Sequence, residues 1–371
     1  MNFDFSDEQK FLKAEARRFL DARCGIGVVR GVLDHPERGY DKELWAAVST
    51  QGWLGAVIPE AYGGLGLSGL ELCVIAEEIG RSLAPIPFAS TVYFAAEALM
   101  LAGSEAQKTK WLPKIGAGEV IGCFATVERP GTLDEAQVQA RVEGGALTGA
   151  KVPVTDGEIA DLAVVLAKES GRLGLYIVEL ASAGVSRKRL ETLDPTRGAA
   201  KLNFAGAAAE LLGESGEGLE LAQTVMDRAA ILLAFEQVGG ADRALEMAKA
   251  YALSRYAFGR PIGSYQAIKH KLADMYIKNE LARSNAYYGA WALSTGAAEL
   301  PLAAAAARVS ACEAFWYAAK ENLQTHGGMG FTWDVDCHLF YRRAQQLGLV
   351  AGGAKAWKER LVTQLERRNA A

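Results

Sequence analysis

The stretch LSRYAFGRPIGSYQAIKHKLADMY, residues 253–276, decides how the rest of the chain is read. Its spacing predicts a helix that ends at Gly259, a turn set by Pro261 and Gly263, and a second helix capped by Ser264. Three side chains of matched chemistry fall at that junction. Arg255 offers paired donors for phosphate oxygens, Phe258 offers an apolar face for a purine, and Gln266 can bond either partner. From the residues alone, two readings stay open: a nucleotide site, and a plain helix–turn–helix connection.

Working outward, residues 216 to 368 form long Ala- and Leu-rich stretches that break at 259–263, 296–301 and 327–330. That pattern predicts four or five long helices in a bundle. Upstream, from 119 to about 212, the periodicity shortens. Runs such as ALTGAKVPVT (146–155), LAVVLAKE (162–169) and LGLYIVEL (173–180) are separated by Gly, Asp and Ser. About seven strands with no intervening helix predict a small antiparallel sheet or barrel. Before that the chain is helical again. Ser6 with Gln9 and Ser104 with Gln107 have capping-box spacing, and Leu70, Val74, Ile75 and Ile79 recur at helical period. The glycine-rich loop at 63–66 reads either as a ligand approach or, preferably, as a tight connection. The expected fold is therefore α+β and mainly α. A helical domain spans 1–117, a small β-barrel or sheet domain 118–213, and a C-terminal four-helix bundle 214–371.

Composition excludes several function classes. Across 371 residues, 40 basic side chains face 44 acidic ones, which is no footprint for nucleic acid or an anionic membrane. The N-terminus is charged and amphipathic, unlike a signal or transit peptide. No apolar run reaches the roughly 18 residues of a membrane span, since Glu236 interrupts the best candidate. Five scattered cysteines without metal-ligand spacing read as reduced packing residues of a cytoplasmic protein, and no metal is expected.

Two further blocks join the opening stretch: QTHGGMG at 324–330 and PEAYGGLGLS at 59–68. In this order and spacing, the three resemble the acyl-CoA dehydrogenase family of flavoproteins. The resemblance implies a helix–sheet–helix order, tetramer formation through the C-terminal bundle, and FAD as cofactor. It also implies Cα–Cβ desaturation of an acyl-CoA thioester, in which a carboxylate removes the α-proton. An electron-transfer flavoprotein would take the electrons.

The family's glutamate base falls on Ala351, followed by Gly352 and Gly353, or in some members on Ala229, followed by Ala230. Alanine takes no proton. The nearest carboxylates on the second of these helices are Asp227 and Glu236, the latter about 10 Å further along the same face. The family's flavin-contacting motif appears as VERPGTLD (127–134), with Val127 at the ring-bonding threonine and Thr132 and Leu133 at the glycine and serine. A buried hydroxyl lost in this way costs about 1–3 kcal/mol. In GAKVPVTDGEIAD (149–161), Pro153 replaces a tryptophan while Thr155 keeps its place.

The residues that in this family serve a neighbour's FAD are retained. The resemblance gives Arg255 the pyrophosphate, Phe258 the adenine region and Gln266 a further polar contact, with Gln324, Gly327 and Gly328 at the adenosine end. Such asymmetry resembles the non-catalytic subunits of heteromeric acyl-CoA dehydrogenases that act on steroid and bile-acid side chains. The implied partner is a catalytic acyl-CoA dehydrogenase subunit that shares its FAD. The alternatives are a competent homotetramer using an unusual base such as Glu236, and a flavin-free structural subunit.

Overall fold

A computed structural model describes residues 5–131 and 133–370. The N-terminal helices are α1 (Asp7–Arg23), α2 (Ile26–Leu33), α3 (Lys42–Thr50), α4 (Gly69–Arg81), α5 (Glu97–Ala102) and α6 (Glu105–Gly116), with a π-helical stretch at Ala89–Ala96 ahead of α5. Both expected capping boxes are formed, Ser6 with Gln9 and Ser104 with Gln107, and a third joins Ser68 to Glu71. Helix α4 is buried from Leu72 to Gly80, so its two interior carboxylates need partners. Lys13 and Arg283 each reach Glu77 at 2.6 Å, and Arg17 holds Glu78 at 2.8 Å. The loop at 63–66 is a tight connection. The amides of Leu65, Gly66 and Leu67 donate to the carbonyls of Gly55, Ile58 and Ala56, and a Cβ at Gly64 would run into Ile58.

Eight strands follow: β1 (Gly122–Ala125), β2 (Arg141–Glu143), β3 (Ala146–Thr155), β4 (Leu162–Glu169), β5 (Arg172–Glu179), β6 (Val185–Leu190), β7 (Ala199–Ala208) and β8 (Glu210–Leu212). They form one small sheet in the order β6-β7-β3-β2-β4-β5-β8, with β1 beside β4. Most pairs are antiparallel, as expected. Strands β1 and β2 each run parallel to β4, so the sheet is mixed around its buried central strand.

The C-terminal part holds α7 (Gly218–Ser254), a two-stranded hairpin of β9 (Tyr256–Ala257) and β10 (Arg260–Pro261), then α8 (Gln266–Thr295), α9 (Leu300–Thr325), α10 (Cys337–Leu349) and α11 (Ala354–Ala370). Helices α7, α8 and α9 pack side by side, while α10 and α11 pack on α9. Helix α7 also crosses α4 at backbone distance: a Cβ at Gly80 would meet the carbonyl of Glu236, and one at Gly239 the carbonyl of Glu77. Glycine permits this crossing because it presents no side chain. The buried Arg308 of α9 donates to Gln237 on α7 and to the carbonyls of Leu347 and Val350, closing the end of α10. All five cysteines are buried and unpaired. No helix of the described residues is long and apolar enough to cross a membrane.

Two local expectations are corrected here. Helix α7 stops at Ser254 rather than at Gly259, because the chain reverses through a hairpin that the helical reading overlooked. Ser264 does not cap α8: its hydroxyl donates to the carbonyl of Pro261 at 2.7 Å, and Tyr265 occupies the N-cap position.

Candidate functional site

The turn between β9 and β10 consists of Phe258 (φ 52°) and Gly259 (φ 80°), flanked by the paired residues Ala257 and Arg260. Two central residues with positive φ make the tight hairpin turn that matches strand twist. Glycine adopts it freely. Phenylalanine pays about 1–2 kcal/mol for the same conformation. The folded chain gives Phe258 nothing in return, since its side chain is 97% exposed. Backbone strain without burial points to a role outside the chain's own core.

Helix α7 delivers this hairpin to the end of the bundle, where α8 begins and α9 ends. Arg255 is the C-cap of α7, its amide bonded to the carbonyl of Tyr251 at 2.8 Å, and its side chain is exposed. Gln266 opens α8 and Gln324 lies in the last turn of α9, both exposed. The turn Gly327–Phe331 packs against the last turn of α7. Tyr251 stacks on His326 with centroids 4.2 Å apart, and its hydroxyl approaches the Met329 sulfur at 3.7 Å. The structure thus gathers Arg255, Phe258, Gln266, Gln324, Gly327 and Gly328 on one exposed end of the bundle. Missed by the sequence reading were Arg260 and Tyr265, which brace the hairpin. A two-residue spacing between YA and RP was the available signal, but Phe-Gly is not among the dipeptides that announce such a turn.

The glycines of this turn divide by role. Gly330 is required by packing, because a Cβ there would collide with the carbonyl of Leu323. Gly328 is not: its φ is ordinary and nothing lies within 4 Å of an added Cβ. What glycine provides at 328 is access to the backbone from outside.

The positions expected to hold a base are differently built. Ala229 is fully buried in α7. Ala351 sits at φ 59° between α10 and α11, and its carbonyl accepts from the Trp357 indole at 3.1 Å. Asp227 is tied to Arg360 of α11, with burial pushing its carboxyl up to about 6 against the pull of that guanidinium. Glu236 is wholly buried and faces Arg197, from the loop between β6 and β7, at 3.5 Å. Around this pair lie Tyr93, whose hydroxyl titrates well above its usual range because of burial, and Asp156, raised by burial and bonded to Ser90 at 2.6 Å. Glu236 is thus an interior ion-pair partner with its backbone pressed against Gly80.

In the segment 127–134, the retained residues are the structural ones. The Glu128 carboxylate accepts from the amides of Gln139 and Ala140 and from the buried Lys151 ammonium at 2.9 Å, and these bonds hold it below the usual carboxylate range despite desolvation. Asp134 accepts from the amide of Ala136. The half-buried Val127 and Leu133 and the exposed Pro153 offer no side-chain hydrogen bond. Thr132 lies outside the described residues.

Residues 6–119 match the acyl-CoA dehydrogenase N-terminal domain and residues 216–363 the acyl-CoA dehydrogenase C-terminal domain. The chain belongs to the acyl-CoA dehydrogenase family. It is 34% identical over 339 residues to the acyl-CoA dehydrogenase IpdE2 of Mycobacterium tuberculosis, covering 91% of each chain. Among solved structures it resembles the Tcur3481–Tcur3483 steroid acyl-CoA dehydrogenase (TM-score 0.88, 30% identity, 98% of this chain and 99% of that one). It also resembles the ChsE4–ChsE5 complex of Mycobacterium tuberculosis (TM-score 0.87, 27% identity, 99% of both chains).

Acyl-CoA dehydrogenases are oxidoreductases that act on CH–CH bonds and bind FAD. The two halves of this site fit that cofactor unequally. The open backbone at Gly328, the exposed Arg255 and the unburied Phe258 suit a dinucleotide's phosphate and adenine groups. Val127, Leu133 and Pro153 offer no side-chain hydrogen bond where this family's motifs have a threonine, a serine and a tryptophan.

Proposed function

We propose that this chain is the non-catalytic subunit of a heteromeric acyl-CoA dehydrogenase and completes the FAD site of a catalytic partner. The observation that carries this reading is Phe258, held at strained φ on an exposed hairpin that serves nothing within its own chain. Arg255 neutralises pyrophosphate oxygens, Phe258 covers the adenine region, and Gln266 and Gln324 add polar contacts. Gly327 and Gly328 let the backbone approach the adenosine end. Bound FAD supplies the hydride acceptor for Cα–Cβ desaturation; the α-proton goes to a carboxylate of the partner, since Ala229 and Ala351 cannot accept it.

Leu253 on α7, Tyr256 on the hairpin, and Tyr276, Ile277 and Leu281 on α8 are exposed apolar side chains available to a second subunit. The likeness to two steroid-directed or two-component relatives favours a bulky side-chain acyl-CoA as the complex's substrate, with an electron-transfer flavoprotein as acceptor. The competing homotetramer needs a base, and the interior pairing of Glu236 removes its best candidate. Mass and visible absorption of the chain purified alone, then with a co-expressed family member from the same operon, test the proposal. The expected result is a colourless chain alone and a yellow complex containing both. A yellow homotetramer reduced by an acyl-CoA would overturn it.

A further inference from the structure

We propose that Tyr265 and Arg260 are positioning residues that lock the turn bearing Phe258 in the conformation a neighbouring chain's nucleotide requires. This inference rests on the trans-site reading of Phe258 and deepens it.

One side chain ties both arms of the hairpin. The Tyr265 hydroxyl donates to the carbonyl of Ala257 at 2.9 Å, and the Arg260 guanidinium lies over the Tyr265 ring, 4.1 Å from its centroid. Ala257 and Arg260 are the two residues that flank the turn. The root is closed separately, by the Ile262 amide on the carbonyl of Arg255 at 2.8 Å. A hairpin with two residues per strand does not hold itself together in water. Its tip residue, moreover, prefers another backbone conformation. Without the bracket, Phe258 samples many positions, and each binding event has to order it.

The core gains nothing from this order. Tyr256, Phe258, Gly259 and Arg260 are all exposed, and an added Cβ at Gly259 would touch nothing. The bracket therefore serves presentation of the tip. Arg260 has the same logic: its charge is spent on a ring of its own chain, beside an Arg255 that makes no such contact with Tyr265.

The test uses the co-purified complex, stripped of flavin and titrated with FAD by fluorescence quenching. Tyr265→Phe keeps the ring under Arg260 and removes only the strut. It should weaken FAD binding about three- to ten-fold, the net worth of one hydrogen bond. The mass of the complex and this chain's thermal midpoint should not change. Arg260→Ala should weaken binding similarly, and Arg260→Lys should recover part of the loss. In the chain alone, Tyr265→Phe should speed hydrogen exchange at the amides of 256–260 and nowhere else. Unchanged exchange with unchanged affinity in Tyr265→Phe, while Phe258→Ala weakens FAD binding, overturns the positioning role and leaves the trans site standing. Full FAD affinity in Phe258→Ala overturns the trans site itself. Failure of Tyr265→Phe to assemble, with exchange spread beyond the hairpin, marks the bracket as structural and also overturns the proposal.

Discussion

Helix α7 has two regions built on opposite terms. Along its middle, the side chains turn inward and find partners: Glu236 meets Arg197, Asp227 meets Arg360, and the backbone is pressed against α4. At its C-terminal end the side chains turn outward, and the chain accepts positive φ at an exposed phenylalanine. The first region has the features of a stability element, with paired buried charge and close packing. The second has the features of a recognition element, with strain, exposure and open glycine. The difference separates the part of the helix that holds the fold together from the part that presents groups to the outside.

The comparison breaks most visibly at the buried pair. Arg197→Ala should destabilise the chain by about 3–5 kcal/mol in urea unfolding, because it leaves Glu236 buried without a counter-charge. Turnover by the assembled complex under native conditions should survive Glu236→Gln. Loss of turnover in Glu236→Gln with stability intact would place chemistry in the region assigned to structure.

Next is Asp227, whose carboxyl titrates near 6 in the folded chain against an ordinary 3.8. A folded value above the unfolded one means that the native state holds the proton longer. The stabilisation is complete below the unfolded value and is lost as pH rises through the folded one. Between about pH 4 and pH 6 this group should lower stability by up to about 3 kcal/mol, and Asp227→Asn should remove that slope from the pH profile of unfolding.

A third contrast uses two glycines of one turn. Gly330→Ala should cost about 1–3 kcal/mol of stability through overpacking against Leu323, with no specific effect on flavin. Gly328→Val should leave unfolding unchanged and weaken FAD binding by the complex roughly ten-fold or more, since its side chain projects where the cofactor approaches. The reverse pattern would exchange the roles given to these positions.

The smallest expected effect is none. Ala351→Glu restores a carboxylate at the family's usual position, yet Val127, Leu133 and Pro153 still offer no side-chain hydrogen bonds in the flavin-contacting segments. No dehydrogenation should appear in the chain alone. Activity there would show that the silent region had lost only its base.

Much of this contrast is legible in the sequence, for identifiable reasons. Helices with long periodic faces and side-chain caps, such as α1, α4 and α6, announce themselves because the cap and the apolar stripe are both local. The substitutions at Val127, Ala229 and Ala351 are equally plain, since the loss of a functional group needs no geometry. What was illegible depends on contacts distant in sequence. The Glu236–Arg197 pair joins residues 39 apart, and the parallel seating of β1 against β4 has no local mark. The hairpin at 256–261 was hidden for another reason. Its turn uses Phe-Gly, a pair that local preference disfavours, and the bracket that compensates comes from Tyr265, already at the start of the next helix.

The most direct measurement is the flavin content of the complex when only this chain carries Arg255→Ala and the catalytic partner is unaltered. The account predicts that the complex still assembles and emerges colourless or nearly so, with FAD binding about ten- to a hundred-fold weaker, as expected for loss of charge-assisted bonds to a pyrophosphate. Full flavin occupancy at unchanged affinity would contradict it, and would leave the exposed end of the bundle as a subunit contact with no part in holding the cofactor.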